Sequence, residues 1–164
     1  MRNSSPDVLM LTREAYSSLL DHGQTCLPNE ACGLLVYSQQ PRLDSSPDST
    51  ATHALIVDTI VPIPNAHPHP LHAFAFEPQA WTAALYRLMQ TKQTLVGYYH
   101  SHPTTTAIPS AADASGLPIG SDPVMLIVSF AAATAELNAY RHISFSHTWE
   151  SLALALVPPS LQPK

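Results

Sequence analysis

The sequence predicts an α/β protein in which a mixed sheet is flanked by two main helices, an α/β sandwich. Short apolar and β-branched runs recur along the 164-residue chain and predict strands, whereas two longer segments carry apolar residues at helical spacing. Sixteen prolines leave room for many loops but for few long helices. The length fits one domain, expected at residues 8–157 between a disordered N-terminus (1–7) and a Pro-rich, frayed tail (158–164).

The first predicted elements are a strand and a helix. Residues 8–11 are a short apolar run, which predicts the first strand. Thr12 follows as the N-cap of a helix that reaches about Gly23. Leu11 and Tyr16 are spaced to form a hydrophobic staple around that cap.

Two further strands are predicted on either side of a polar segment. Residues 30–37 form an apolar strand that Glu30 opens, and residues 54–63 form a β-branched strand. Residues 39–52 between them are rich in Ser, Pro and Asp, which predicts an exposed, mobile loop.

The middle of the chain predicts a loop followed by the second helix. Residues 65–72 are an irregular loop, because alternating prolines prevent a β-ladder, whereas Phe74 and Phe76 alternate as in a short strand. Pro78 suits the first turn of a helix that reaches about Gln93. The apolar residues spaced to face the core along this helix are Trp81, Ala84, Leu85, Leu88 and Met89.

The last part of the chain predicts four strands and one helical turn. Residues 94–100 form a strand, and Ser110 starts a capped turn that reaches about Ser115. Three strands separated by short turns follow at residues 123–130, 136–143 and 148–157.

The composition argues against nucleic-acid and membrane partners. The formal net charge is −5, the pI is near 5.9, and the sequence has no cluster of Lys or Arg that would bind phosphates. Apolar runs such as residues 124–128 are far too short to span a bilayer. Two cysteines, Cys26 and Cys32, do not make a disulfide framework, so a reduced, cytoplasmic protein is predicted.

The most specific chemistry lies in residues 97–113. His100 and His102 are separated by one residue, so on a strand both side chains point to the same side. Asp113 returns after a short loop as a third ligand. Three ligands of this type leave a fourth tetrahedral position open, which is typical of catalytic zinc, so we predict one zinc ion per chain.

A zinc hydrolase also requires a group that takes up and returns a proton, and Glu30 is the best candidate. It opens an otherwise apolar strand, where desolvation would raise the pKa of its carboxyl towards a useful range. Ser110 lies one helical turn before Asp113. Its hydroxyl could cap that turn, could point at a developing oxyanion, or could do both.

The remaining histidines and cysteines have simpler explanations. His67 and His69 form a second His-x-His pair, but each is followed by proline and the next carboxylate is Glu77, so they predict a loop that could border a substrate groove. Cys32 is expected to be a small buried hydrophobe rather than a nucleophile. Two histidines that flank a predicted turn are expected to be solvated: His142 and His147.

The site residues resemble those of the JAMM or MPN-plus (Mov34/MPN/PAD-like) zinc metalloproteases. That family has an upstream Glu, then His-x-His-Pro, then a Ser with seven residues between it and the second His, and finally an Asp after two more residues. The matching residues, without departure, are Glu30, His100-Ser101-His102-Pro103, Ser110 and Asp113. The Glu30-Ala-Cys-Gly-Leu-Leu run looks like the compact bacterial branch, and the resemblance covers roughly residues 8–157. It implies a cytidine-deaminase-like MPN fold with a curved, mostly antiparallel sheet.

The resemblance also implies a reaction and a partner. Members of the family hydrolyse bonds after the C-terminal glycines of ubiquitin or ubiquitin-like proteins, and bacterial relatives are similar to enzymes that act on small β-grasp sulfur carriers. The implied roles are zinc ligation by His100, His102 and Asp113, general acid/base catalysis by Glu30, and oxyanion donation by Ser110. The expected protein is a zinc metallopeptidase or isopeptidase that acts as a monomer or homodimer.

Two other functions stay open. Many MPN relatives are non-catalytic interaction modules that have lost the ligand set, which is intact here. RadC-like, DNA-repair-associated proteins share a similar metal pattern, but they usually have Asn between the two histidines, where this chain has Ser101. The acidic pI also argues against nucleic acid. A zinc deaminase is disfavoured because the sequence has no Pro-Cys-x-x-Cys pair.

Overall fold

The computed structural model describes residues 8–38, 54–117 and 122–158. The predicted N-terminal segment 1–7, the loop at 39–52 and the tail beyond Pro158 therefore lie outside the described residues. Within them the helices are α1 (Arg13–Cys26), α2 (Pro78–Thr91) and a short 3₁₀ helix (Asp113–Gly116). The strands are β1 (Val8–Leu11), β2 (Cys32–Tyr37), β3 (Ala54–Val57), β4 (Thr59–Ile63), β5 (Thr94–His102), β6 (Val124–Ser129), β7 (Glu136–Ile143) and β8 (Thr148–Leu156).

All eight strands belong to one mixed sheet, in the order β3-β1-β8-β7-β6-β5-β2-β4. The pairs β1–β3, β1–β8 and β5–β6 are parallel, and the other four are antiparallel. The two edge strands, β3 and β4, follow each other in the chain with only Asp58 between them. The sheet therefore curves until its edges nearly meet, and the predicted fold class is confirmed.

The prediction of a single strand at residues 54–63 is wrong. Two strands, β3 and β4, are found there, because the chain leaves one edge of the sheet at Asp58 and joins the opposite edge. The Asp58 carboxylate accepts hydrogen bonds from the N–H and the hydroxyl of Ser38, at 2.8 and 2.6 Å. The N–H of Asp58 donates to the Val36 carbonyl at 3.1 Å. A β-branched run predicts extended backbone, but it does not predict which neighbour each half pairs with.

Alternate residues of β5 face the two helices. Tyr99 packs into the cluster that contains α1, whereas Tyr98 packs into the cluster that contains Leu88 of α2. Because side chains alternate along a strand, His100 and His102 lie on the same face as Tyr98. Strand β5 ends at His102, two residues later than predicted, so both histidines have strand geometry.

Helix α1 starts where predicted and ends later. The Thr12 hydroxyl accepts a hydrogen bond from the Ala15 N–H at 3.1 Å, which confirms the N-cap. The helix continues to Cys26, three residues beyond Gly23. A Cβ on Gly23 would lie 2.6 Å from the Phe130 ring, so this glycine permits close packing and does not end the helix.

Helix α2 begins at Pro78 as predicted, and the carboxylate of Glu77 accepts hydrogen bonds from two N–H groups of its first turn. The prediction that Met89 faces the core along this helix is wrong. Met89 is 74% exposed, because it lies about 100° around the helix from Leu88, which is 4% exposed. None of the helices in the described ranges is long and apolar enough to cross a membrane.

The short strand predicted around Phe74 and Phe76 is also wrong. Among the described residues this segment forms one isolated bridge, between Asn65 and Phe76, outside the named strands. The two rings form an edge-to-face pair with centroids 5.4 Å apart. Phe74 itself is buried, and its ring contributes to the site described next.

Candidate active site

Three buried side chains converge at the end of β5. The Nε2 atoms of His100 and His102 are 3.0 Å apart, and they lie 3.2 and 3.3 Å from Oδ2 of Asp113. Strand alternation brings the two rings to one side, and the loop after β5 returns Asp113 at the start of the 3₁₀ helix. Among the described residues this is the one group of His, Cys, Asp and Glu that could hold a metal ion.

The hydrogen bonds at Nδ1 of the two rings determine which nitrogen carries the proton and which presents a lone pair to Asp113. Nδ1 of His102 lies 2.7 Å from the Thr106 carbonyl oxygen, and Nδ1 of His100 lies 3.1 Å from the sulfur of Met125. A carbonyl and a thioether can only accept, so in each neutral ring Nδ1 carries the proton and donates it. Both Nε2 lone pairs then point at the Asp113 carboxylate.

This donor set fits a zinc ion. Ligand atoms about 2.0–2.1 Å from a tetrahedral zinc lie about 3.3 Å from one another, close to the separations of 3.0, 3.2 and 3.3 Å. Three acceptor atoms at these distances repel one another unless a cation or a proton lies between them. The three residues that would hold the ion are His100, His102 and Asp113.

Asp113 is held by Ser110. The N–H and the hydroxyl of Ser110 both donate to the Asp113 carboxylate at 2.8 Å, to Oδ2 and Oδ1 respectively. Burial alone would raise the pKa of Asp113, but the protonated rings of His100 and His102, which donate from Nε2, and the N–H of Ser110 hold it well below its usual range. The prediction that Ser110 caps the helical turn is wrong. Ser110 donates to the Asp113 carboxylate, and the N-cap residue of the 3₁₀ helix is Ala112, which makes no side-chain capping hydrogen bond.

In the metal-free protein the two histidines differ electrostatically. Burial lowers the pKa of His100. Burial acts in the same direction on His102, but hydrogen bonds to Asp113 and to the Thr106 carbonyl outweigh it and raise the pKa. An empty site therefore takes up a proton at His102 before His100.

Glu30 reaches the site through the register of β2 against β5. Cys32 pairs with His100, and the Ala31 N–H donates to the Ser101 hydroxyl at 2.7 Å. Continuing this register places Glu30 opposite the second histidine. The N–H of Glu30 donates to the Pro70 carbonyl at 2.7 Å, so the loop 65–72 also holds it in place.

The carboxyl of Glu30 is buried and only partly bonded. It is 4% exposed, and Oε2 finds no hydrogen-bond partner among the described residues. Burial raises the pKa of Glu30 to about 7, with His102 opposing and Asp113 adding to the shift. A pocket of about 540 Å³ adjoins this carboxyl, lined by the end of α1, by residues 30–32 and by residues 62–65. The predicted rise in pKa is confirmed.

Phe74 is a site residue that the sequence did not reveal. Its ring stacks on that of His100, with centroids 4.5 Å apart and planes inclined by 22°. A Cβ on Gly116 would lie 2.6 Å from the other end of the Phe74 ring, so the 3₁₀ helix closes tightly over it. Asn65 was also missed: its amide donates to the carbonyls of Glu30 and Ala73 at 3.1 and 3.0 Å. An Asn in a Pro-rich loop is the one local signal that could have indicated such bridging.

The other histidines and cysteines discussed from the sequence are not members of this converging group. Cys32 is fully buried, its sulfur lies 3.3 Å from the Ile63 carbonyl, and burial raises the pKa of its thiol to about 12. This agrees with a small core residue. The prediction for His142 is wrong: it is 7% exposed and its ring lies 4.7 Å from that of Trp149, whereas His147 is exposed.

The curved mixed sheet, the two helices and the buried His-His-Asp group together define a JAB/MPN-type domain. A protein from Desulfitobacterium hafniense solved in solution has the same fold, with a TM-score of 0.73 and 24% identity over 91% of this chain and 92% of that chain. A JAB1/MPN domain protein from Archaeoglobus fulgidus matches with a TM-score of 0.54 and 16% identity, over 92% and 98% of the two chains. Residues 12–143 match the model of the prokaryotic homologs of the JAB domain, Prok-JAB, and the chain belongs to this family.

Two curated relatives carry functional names. A probable TtuB-protein conjugate cleaving protease from Thermus thermophilus is 42% identical over 57 residues, which are 35% of this chain and 38% of the relative. A desampylase from Haloferax volcanii is 29% identical over 109 residues, 64% of this chain and 69% of the relative. The first match thus spans well under half of that relative's length.

Proposed function

We propose that residues 8–157 form a zinc-dependent hydrolase domain that cleaves the peptide or isopeptide bond after the C-terminal Gly-Gly of a ubiquitin-like or small sulfur-carrier protein. The observation that carries this proposal is the buried carboxyl oxygen of Glu30, which has no hydrogen-bond partner among the described residues and lies near the three converging donors of His100, His102 and Asp113. A purely structural metal site has no use for a fourth, ionisable group with a pKa near neutrality.

The three donors would hold the zinc, and Glu30 would move the proton. When bound, zinc supplies Lewis acidity, which polarises a carbonyl and lowers the pKa of water towards neutrality. With a pKa of about 7 in the metal-free protein, the Glu30 carboxylate can accept a proton at Oε2 and return it to the leaving nitrogen. Burial keeps bulk water from competing for that proton.

Ser110 has two separable roles in this proposal. It orients Asp113 through both of its hydrogen bonds. To act as an oxyanion donor as well, its hydroxyl must turn from Oδ1 of Asp113 to the substrate carbonyl, which is feasible because Ser110 is exposed. Ser110→Ala removes only the hydroxyl and keeps the N–H bond, so we expect zinc retention with a lower kcat; loss of zinc instead would leave only the orienting role.

The substrate class rests on the family and on the shape of the site. Both named relatives act, by their names, on conjugates or on sampylated proteins, which suggests a protein tail as the substrate here. Glu30 also helps to line a pocket of about 540 Å³, a size that suits a short extended segment rather than a folded domain. A Gly-Gly tail is such a segment, and a groove too narrow for a Cβ would select it.

The decisive experiment uses mass spectrometry on candidate carrier proteins extended past Gly-Gly. Wild type should remove the extension, whereas Glu30→Gln should retain zinc and lose about 10²–10⁴-fold in rate, because the carboxamide cannot take up a proton. Full activity of Glu30→Gln would remove Glu30 from the mechanism. If wild type removes no extension although it holds zinc, the substrate assignment fails.

A non-catalytic interaction module is the alternative, and it makes an opposite prediction about metal. Such a module has no need of the converging ligands, so purified protein would contain no zinc. We further propose a cytoplasmic location, on the basis of two free cysteines, Cys26 and Cys32.

A further inference from the structure

The loop 103–109, which connects the second zinc-ligand candidate to Ser110, is anchored by side chains of β6 and β7. The Ser129 hydroxyl donates to the Thr105 carbonyl at 2.5 Å. The Ala107 carbonyl accepts two hydrogen bonds, from the Tyr140 hydroxyl at 2.7 Å and from the Asn138 amide at 3.1 Å. Ala107 is fully buried, so both lone pairs of its carbonyl are satisfied away from solvent.

The carbonyl between these two anchored peptide groups belongs to Thr106, and it is the partner of His102. It accepts the Nδ1–H of His102 at 2.7 Å. This bond fixes the tautomer of the ring and the direction of its Nε2 lone pair. Because neighbouring peptide planes are coupled through the backbone, the direction of the Thr106 carbonyl depends on how its two neighbours are held.

We propose that Tyr140 and Asn138 are positioning residues of the metal site. From β7 they fix the Ala107 carbonyl, and this holds the Thr106 carbonyl against Nδ1 of His102. The inference rests on the proposed function, because it takes His102 to be a metal ligand. Both donors are uncharged and reach the loop through the Ala107 carbonyl, so they would act on the metal through loop geometry, and the Asn138 amide also donates to Oε1 of Glu136 at 3.1 Å.

The alternative explanation is that these bonds merely stabilise the fold. The two explanations differ in what they predict for His102. A structural role predicts a lower melting temperature with unchanged metal affinity of the folded protein. A positioning role predicts weaker zinc binding and a changed His102 tautomer while the protein stays folded.

The test uses Tyr140→Phe, which keeps the ring and removes only the hydroxyl, and the double variant Tyr140→Phe/Asn138→Ala. We expect the zinc dissociation constant, measured by competition with a chelator, to rise about threefold in the first and about tenfold or more in the second, at the lower end of the effect of outer-shell partners. Nitrogen NMR of the metal-free protein should show a smaller fraction of the Nδ1–H tautomer at His102 in both.

The matched control is Tyr98→Phe. Tyr98 is another buried tyrosine on the same face of the sheet, and its ring packs against those of Phe76 and Trp81, with centroids 5.7 and 5.4 Å away. Its zinc affinity and its His102 tautomer should match those of wild type within about twofold.

Zinc affinity and a His102 tautomer like those of wild type in folded Tyr140→Phe and in the double variant would overturn the inference. Weaker binding with an unchanged tautomer would also overturn it, because general loosening would then be the cause. If the double variant does not fold, Tyr140→Phe alone decides. The proposed function fails separately, if wild type itself binds no zinc.

Discussion

The chain carries two His-x-His pairs, and only one of them forms part of a site. At the end of β5, the Nε2 atoms of His100 and His102 lie 3.0 Å apart and both face Asp113. In the loop 65–72, the rings of the other pair are 6.0 Å apart at 52°, and the first of these, His67, accepts a hydrogen bond from the backbone of the second. Equal spacing therefore gives a group that could hold a metal only where a strand fixes both directions and the fold supplies a carboxylate.

The pairs differ in support as well as in direction. Both Nδ1 atoms of the first pair face acceptors in the protein, and the ring of His100 is stacked on Phe74. In the second pair, His69 is exposed and its ring makes no contact of this kind among the described residues beyond the tilted one with its neighbour. A metal ligand must be oriented by contacts around it, and only in the first pair are both rings held in this way.

The largest effect is expected from breaking the first pair. His102→Ala leaves two donors around the ion, so zinc affinity should fall by more than the roughly 10–100-fold that the loss of an outer partner causes. Hydrolysis of a carrier extended past Gly-Gly should then drop to background. Zinc content by mass spectrometry and product formation measure this, and a variant that keeps one zinc per chain would contradict it.

A pH-dependent effect is expected from the carboxyl beside that pair. In the metal-free protein burial raises the pKa of Glu30 from 4.5 to about 7, so the folded state binds this proton more tightly than the unfolded chain. Protonated Glu30 therefore stabilises the folded wild type at low pH, and wild type loses this contribution to its unfolding free energy as the pH rises from 4.5 through 7. The side chain of Glu30→Gln does not titrate. The unfolding free energy of this variant minus that of wild type should therefore rise across this window and reach a plateau of about 2–3 kcal/mol.

Urea unfolding in the presence of a chelator, from about pH 4 to about pH 8, measures this difference. Glu150→Gln is the control, because it makes the same chemical change at an exposed side chain. Parallel curves for wild type and Glu30→Gln would show that Glu30 is not desolvated. Bound zinc should shrink the difference, since a cation favours the ionised carboxylate.

A smaller effect is expected from removing the aromatic support of His100. Phe74→Leu keeps an apolar side chain but loses the stacked ring, so we expect zinc affinity to fall about tenfold while the protein stays folded. Phe145→Leu makes the same change at a side chain that is 97% exposed and should bind zinc like wild type. Equal affinities in the two variants would show that stacking does not orient His100.

The smallest effect is expected from the second pair. His67→Ala/His69→Ala removes both imidazoles from a loop without a third donor, so zinc content and affinity should stay within about twofold of wild type. A loss of zinc in this variant would show that spacing alone had created a second site. An increased KM with unchanged kcat would instead support the prediction that this loop borders the substrate groove.

The three converging donors were predictable because their signal is local. A strand's period of two makes His100 and His102 face the same side, and the intervening loop is short enough to return Asp113. The apolar run beginning at Glu30 likewise predicted a buried strand and a raised pKa, and the pKa is confirmed. Errors arose where a pattern has two solutions, as at Met89, which sits at the rim of the apolar stripe, and at His142, whose burial depends on packing against Trp149.

The sequence by itself determined the fold class, most of the elements and the set of groups that could carry chemistry, because helical and strand periodicity and ligand spacing are properties of neighbouring residues. Only the tertiary structure decided which groups meet. It divided residues 54–63 at Asp58 into two strands that lie at opposite edges of the sheet. It placed Glu30 opposite His102 through the β2–β5 register, and it brought Phe74 and Tyr140 close to the converging donors and their loop. Such contacts join residues far apart in the chain, and they follow from how the sheet curves and closes, which no local pattern encodes.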